Sequence, residues 1–366
     1  MAARPMPALV SRSAPWAAAF AALALFGSAG AQSGDWADSK KGARKYPESQ
    51  AICRSLKTAT APAGDRPTKA QAAALKDCDS VDLYYGLGGA PDRIKARRCA
   101  FVQLDSKPDD LEDGVSGAGV LAMIYANGDG VSRNLDFAIH MACLDAFSPF
   151  EIDSRVKALD ARRRGEGLNE PYDYCDEASS GFAMGECSAI WSGQETVKRN
   201  ARFAAAGRTW NPVQRKAFAK LSKAREAYVE ARVDNEVDLS GTARTVSAMA
   251  ARDQIRDFDI ELLEALTKGA GPGADRLTLT RDDAALNDAF RRLMADRGAF
   301  PAKADIRRTQ RLWLAYRDSW AGFMRSTWPT KTDAVVAYVT RQRTIRLLCM
   351  LDDGDAHPGG DVCLLG

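Results

Sequence analysis

The chain has 366 residues, and its 51 Lys and Arg residues against 48 Asp and Glu residues give a formal net charge of +3. Hydrophobic residues make up 46% of the chain and charged residues 27%, values typical of globular proteins, and the length predicts two domains. Nucleic-acid binding needs a concentrated basic surface, so this nearly balanced charge argues against it.

The start of the chain has the three parts of a secretion signal. Arg4 and Arg12 form a positive segment, 16–26 is an apolar run too short to span a bilayer, and an Ala-Gly-Ala cleavage pattern follows. We therefore expect a signal peptide at 1–31, cleavage after Ala31 and a periplasmic protein. The alternative is an N-terminal core helix. No later segment is apolar enough to cross a membrane, so no transmembrane segment is expected in the mature chain.

All eight cysteines follow the predicted signal peptide, and their even number predicts up to four disulfides in an oxidising compartment. A zinc site is the alternative, but no C-x-x-C pair occurs. Spacing alone leaves the connectivity open. The favoured pairing joins Cys78 to Cys99, Cys175 to Cys187, Cys349 to Cys363 and, as the remainder, Cys53 to Cys143.

Two stretches in the first half share a helix–turn–helix pattern at one constant offset. The matched residues are Gly88 with Gly130, Asp92 with Asn134 and Ala96 with Ala138. A glycine turn reverses the chain, Asp or Asn caps the second helix, and Ala lets the helices approach closely. The Tyr-x-x-Gly-x-Gly-Val turn at 125–131 resembles the Sel-type helical repeats, which implies a protein-binding region at 32–168. A helical packing unit without a binding role is the alternative.

The second half, 169–366, contains a larger internal similarity between units at about 175–268 and 280–350. One offset pairs Tyr228 with Trp313 and Arg232 with Arg317. A duplicated fold needs duplicated packing, and this favours structural roles for Arg232 and Tyr228.

An aromatic stripe marks the second unit. Its members, Trp313, Tyr316, Trp320 and Phe323, follow one another at helical spacings of three and four. Arg317 projects into this stripe, and an arginine in an apolar face needs a carboxylate or several carbonyls to offset its desolvation. We therefore expect a structural Arg317 that either pairs with a buried acid or extends outward to solvent, and direct contact with a ligand is the alternative.

The second unit also carries a family motif. Its residues are Leu-Asn-Asp-Ala-Phe at 286–290, Gln-Arg-Leu-Trp-Leu-Ala-Tyr-Arg-Asp at 310–318, Arg343 and Leu347, and the Cys175 to Cys187 segment is similar to the paired cysteines that open such domains. This pattern resembles the LprI-type lysozyme-inhibitor domain family. The resemblance implies a protein partner, either lysozyme or another envelope protein, and contacts to that partner at Gln310, Trp313, Arg317 and Trp320.

Enzyme motifs are absent from the sequence. His140 and His357 are the two histidines, and no G-x-S-x-G, G-x-x-x-x-G-K, H-E-x-x-H or dinucleotide fingerprint occurs. We expect neither a metal nor a cofactor.

These patterns predict an all-α, disulfide-bonded fold, in which a short helical-repeat unit precedes a duplicated helical domain. The leading functional hypothesis is a non-catalytic, periplasmic binding protein of lysozyme-inhibitor type. Two alternatives remain: a helical-repeat scaffold that recruits an envelope protein without contacting lysozyme, and a cell-wall glycan hydrolase.

Overall fold

The computed structural model describes residues 35–106, 115–144, 147–272, 278–296 and 301–351. Over these ranges the chain forms helices and no strand, which confirms the predicted all-α class. None of the described helices combines the length and the apolar character that spanning a membrane requires.

The first half forms short helices. They are α1 (Lys40–Lys45), α2 (Pro47–Ser55), α3 (Lys69–Ala74), α4 (Ser80–Tyr85), α5 (Arg93–Ser106), α6 (Gly117–Asn127), α7 (Leu135–Cys143) and α8 (Pro149–Arg163), with 3-10 turns at Trp36–Asp38, Ala63–Asp65 and Tyr174–Glu177. Their apolar faces meet in one core, which explains how helices of only six to fifteen residues are stable.

The two predicted hairpins, α4–α5 and α6–α7, have matching turns. Gly86 and Gly128 end α4 and α6 with left-handed φ angles of 74° and 77°, a conformation that favours glycine. The caps also correspond, because the backbone N–H of Asp92 donates to Leu83 O at 2.9 Å and that of Asn134 donates to Tyr125 O at 3.0 Å. The hairpins are therefore structural equivalents, and their assignment to the Sel-type repeats stays a prediction.

Three of the four predicted disulfides are confirmed: Cys53–Cys143, Cys78–Cys99 and Cys175–Cys187. These six cysteines are therefore not available as zinc ligands. Cys349 is also disulfide-bonded, while position 363, its predicted partner, lies outside the described residues.

The second half forms long helices. They are α9 (Gly181–Ala206), α10 (Pro212–Glu236), α11 (Arg244–Thr267), α12 (Leu279–Ala295), α13 (Lys303–Thr327) and α14 (Thr332–Cys349), with a 3-10 turn at Pro329–Lys331. Within each predicted unit the outer helices pack together, α9 on α11 and α12 on α14, whereas the middle helices α10 and α13 pack on each other. The α10–α13 pair is antiparallel and forms the centre of the second core.

Helices α10 and α13 meet at two tyrosines. Tyr228 stacks on Tyr316 with 5.4 Å between ring centroids. The sequence paired Tyr228 with Trp313 and Arg232 with Arg317 as equivalent positions of the two units, and a contact across an antiparallel pair does not test that equivalence. The duplication and its alignment therefore stay predictions.

Helix α9 belongs to both halves. Its first part, with Cys187 and Ile190, lies in the first core, whereas Phe203 and Ala206 near its end pack against the second core. The first core thus continues past residue 168, where the sequence placed a domain boundary, and that boundary stays a prediction. This sharing means that a cut near residue 175 would divide a packed core.

Candidate functional site

Helices α12, α13 and α14 bring the family motif together, since both α12 and α13 pack on α14. Leu286, Ala289 and Leu293 form the buried face of α12, because they recur at spacings of three and four. The aromatic stripe is the buried face of α13. Beside these buried faces, polar and apolar residues of both helices line a groove between them.

The two tryptophans of the stripe belong to the core. Trp313 and Trp320 are each 1% exposed, and the Trp320 indole N–H donates to Asp259 Oδ1 at 3.2 Å. Side chains buried to this degree have no surface to offer a partner. Of the four residues predicted to contact a partner, Gln310 and Arg317 are therefore the two that can do so directly.

Asp259 on α11 is a buried acid of this core. It accepts hydrogen bonds from the Tyr316 hydroxyl and from Trp320, and Arg225 Nη1 lies 3.5 Å from its Oδ2. Burial raises the pKa of Asp259 to about 6, although Arg225 and the hydrogen bonds oppose that shift. The acid expected near Arg317 thus exists, but its cationic neighbour is Arg225.

Arg317 lies at the rim of the stripe and extends to solvent, which is the second of the two arrangements expected from the sequence. Its side chain is 20% exposed and stacks over the Trp313 ring at 5.3 Å. Its acidic partners are Asp283 at 3.1 Å and Asp318 at 3.2 Å, and both are partly in solvent. The guanidinium lies just outside the apolar layer, where solvent and these two partly exposed carboxylates offset its desolvation.

We therefore expect Arg317→Ala to lower the free energy of unfolding by no more than about 1 kcal/mol, since exposed ion pairs contribute little. Urea denaturation of the variant beside the unmodified protein measures this. A loss of 3 kcal/mol or more would show that Arg317 is buried after all.

The buried ion pair of the second core joins the two predicted units. Arg343 on α14 pairs with Glu236 on α10 through bonds of 2.6 and 2.7 Å, and both side chains are fully buried. Arg343 Nε also donates to Gln310 Oε1 at 2.9 Å, and its Nη1 lies 3.5 Å from the Tyr228 hydroxyl. The Oε1 atom of Gln310 is therefore already used to hold this ion pair.

Arg232 is buried beside this pair but has no carboxylate within ion-pair distance among the described residues. Its Nη1 donates to Ala251 O at 2.9 Å. Burial lowers the pKa of Arg232 to about 10, since the charged form is the one that desolvation penalises. Its burial, like that of Tyr228, supports the structural role expected from the sequence.

The groove between α12 and α13 has a volume of about 380 Å³. It is lined by Asp283, Leu286, Asn287, Phe290, Arg307, Gln310, Arg311, Leu314 and Arg317. Three guanidinium groups and one carboxylate stand among these described residues, so the groove they line is basic. Gln310 and Arg317 come from the predicted set, and sequence reasoning missed Arg307 and Arg311, although their four-residue spacing beside an aromatic stripe was available as a signal.

Other candidates for chemistry lie elsewhere. His140 is half-buried, its ring lies 6.4 Å from that of Phe137, and burial lowers its pKa. Position 357, the second histidine, lies outside the described residues. Glu226 and Glu230 pair with Arg256 and Arg252. No cluster of metal-ligating side chains occurs in the described ranges.

Comparison with known proteins gives one family match. The family model of the lysozyme inhibitor LprI matches residues 276–352, which contain α12, α13 and α14. No curated protein and no solved structure matches the chain. The similarity thus covers the helices that line the groove and includes Arg343.

Proposed function

We propose that this chain is a periplasmic binding protein of lysozyme-inhibitor type, which acts by occluding its partner and not by chemistry. The observation that carries the proposal is the LprI match over 276–352, the region that contains the basic groove. The signal-peptide pattern at 1–31 supports export to the compartment where lysozyme meets the cell wall.

The groove suits binding better than catalysis. A glycan hydrolase uses two carboxyl groups about 5 to 9.5 Å apart across a cleft. Within the described ranges, Asp283 is the one carboxylate that lines this groove. Asp283 is also paired with Arg317 at 3.1 Å. These contacts favour the inhibitor over the hydrolase.

The scaffold alternative is supported by the first half. The hairpins α4–α5 and α6–α7 repeat one geometry, and Ile94 on α5 is exposed despite its size. In that case the partner would bind the first half and lysozyme activity would be unaffected.

The oxidised full chain is expected to slow lysozyme on cell walls at a one-to-one stoichiometry, with a dissociation constant of about 1 µM or lower. Turbidity clearing measures the inhibition and titration calorimetry the stoichiometry. The full chain is needed because α9 is shared by both cores. Absence of inhibition well above micromolar concentration, by protein with native helicity and no free thiol, would contradict the proposal and favour the scaffold.

A further inference from the structure

The α13 side of the groove carries two arginines that have no partner among the described residues. Arg307 and Arg311 are exposed, and neither forms an ion pair or hydrogen bond with the part of the chain that the structure describes. They are four residues apart, so they project from the same face of α13. Arg317 on that face is already paired with Asp283, which leaves two uncompensated positive charges at the mouth of the groove.

Apolar surface accompanies these charges. Leu314 is 36% exposed, and Phe290 from α12 is half-buried against the groove. Arginine beside aromatic and aliphatic surface is typical of the energetically important part of protein interfaces. The groove thus combines apolar side chains, which exclude water on binding, with guanidinium groups that are available to pair with anions.

The guanidinium groups on this surface indicate which chemical groups a partner would present. Guanidinium groups bind carboxylates in bidentate geometry, and a glycan hydrolase holds two carboxyls about 5 to 9.5 Å apart in its cleft. The Cβ atoms of helical residues four apart are separated by about 5 to 6 Å, so flexible arginine side chains at this spacing span that range.

Building on the proposed function, we propose that Arg307 and Arg311 enter the substrate cleft of the bound lysozyme and pair with its two catalytic carboxylates. Leu314 and Phe290 then pack against the cleft walls and exclude water from these ion pairs. The α13 edge of the groove is the inhibitory surface, and the glycan and this protein compete for one site.

Charge reversal tests the contact. The variant Arg307→Glu with Arg311→Glu is expected to weaken inhibition by about 100-fold or more, because close charge pairs across an interface are strongly coupled. Its melting temperature should stay near that of the unmodified protein, since both residues are exposed and neither pairs with another residue that the structure describes.

The matched control is Arg308→Glu with Arg325→Glu. Both residues are exposed residues of α13, neither lines the groove, and the change in net charge is the same. We expect inhibition to change less than about 3-fold. Equal loss in the two double variants would overturn the contact in favour of nonspecific attraction between net charges.

Two further measurements examine the partner. Binding to a lysozyme whose two catalytic carboxylates are replaced by amides should be about 100-fold weaker, and a chitooligosaccharide that fills the cleft should displace this protein. Inhibition by the unmodified chain that is insensitive to both, or to the Arg307 and Arg311 reversals, would overturn this contact and leave the proposed function standing. If the unmodified chain does not inhibit, both fail.

Discussion

Replacing Arg343 with alanine is expected to lower the free energy of unfolding by about 3 to 5 kcal/mol. Arg343 and Glu236 are both fully buried and joined by two short hydrogen bonds. Loss of the guanidinium leaves the Glu236 carboxylate buried without its counter-charge, and Gln310 Oε1 loses the donor it accepts from. Urea denaturation followed by circular dichroism measures the loss.

Two further variants separate the unpaired charge from the lost volume. Arg317→Ala removes the same side chain at the rim and is expected to cost no more than about 1 kcal/mol. Glu236→Leu combined with Arg343→Met removes both charges at similar volume, and we expect it to recover more than half of the loss, because a buried ion pair is often no better than apolar packing. If Arg343→Ala costs no more than Arg317→Ala, water reaches this pair and its burial is contradicted.

The two arginines show which features of the core were predictable. Helical spacing placed Trp313, Tyr316 and Trp320 on one face, and that face is buried as expected. The spacing says nothing about which helix lies opposite, so it could not show which arginine meets a buried acid. Arg317 is at the edge of the face, whereas Arg343, on the next helix, is enclosed by α10 and α13.

The disulfides were more accessible to sequence reasoning than the ion pairs. Cys78–Cys99 and Cys175–Cys187 join cysteines 21 and 12 residues apart, where a single hairpin or turn brings the sulfurs together. Cys53–Cys143 spans 90 residues. It was predicted only because these two cysteines were left after the other pairs, since packing between α2 and α7 is a tertiary feature with no local signal.

The sequence predicted which helix carries the candidate site, but not which of its residues are exposed. The family motif indicated α13, and Gln310 and Arg317 do line the groove. A motif preserves core and surface residues alike, so it did not distinguish buried Trp313 and Trp320 from exposed residues. Exposure depends on the packing of α12 and α14, and this information is non-local.

The second large effect is expected from the Cys53–Cys143 disulfide. Replacing both cysteines with alanine should lower the free energy of unfolding by about 4 to 5 kcal/mol, because the bond closes a loop of 90 residues and long loops lose the most entropy on closure. The bond also joins α2 to α7 across the first core, so its loss frees the N-terminal helices in the unfolded chain. Guanidinium denaturation of oxidised protein measures the change.

The Cys175–Cys187 pair is the matched control for this loop-length argument. It closes only 12 residues, so its removal should cost about 3 kcal/mol by the same entropy model. All four cysteines are buried, which makes the loss of packing similar in the two double variants and leaves loop length as the main difference. Equal losses in both would show that local packing, and not loop closure, determines what each bond contributes. A smaller loss for the 90-residue loop would mean that the unfolded chain keeps α2 and α7 close without the bond.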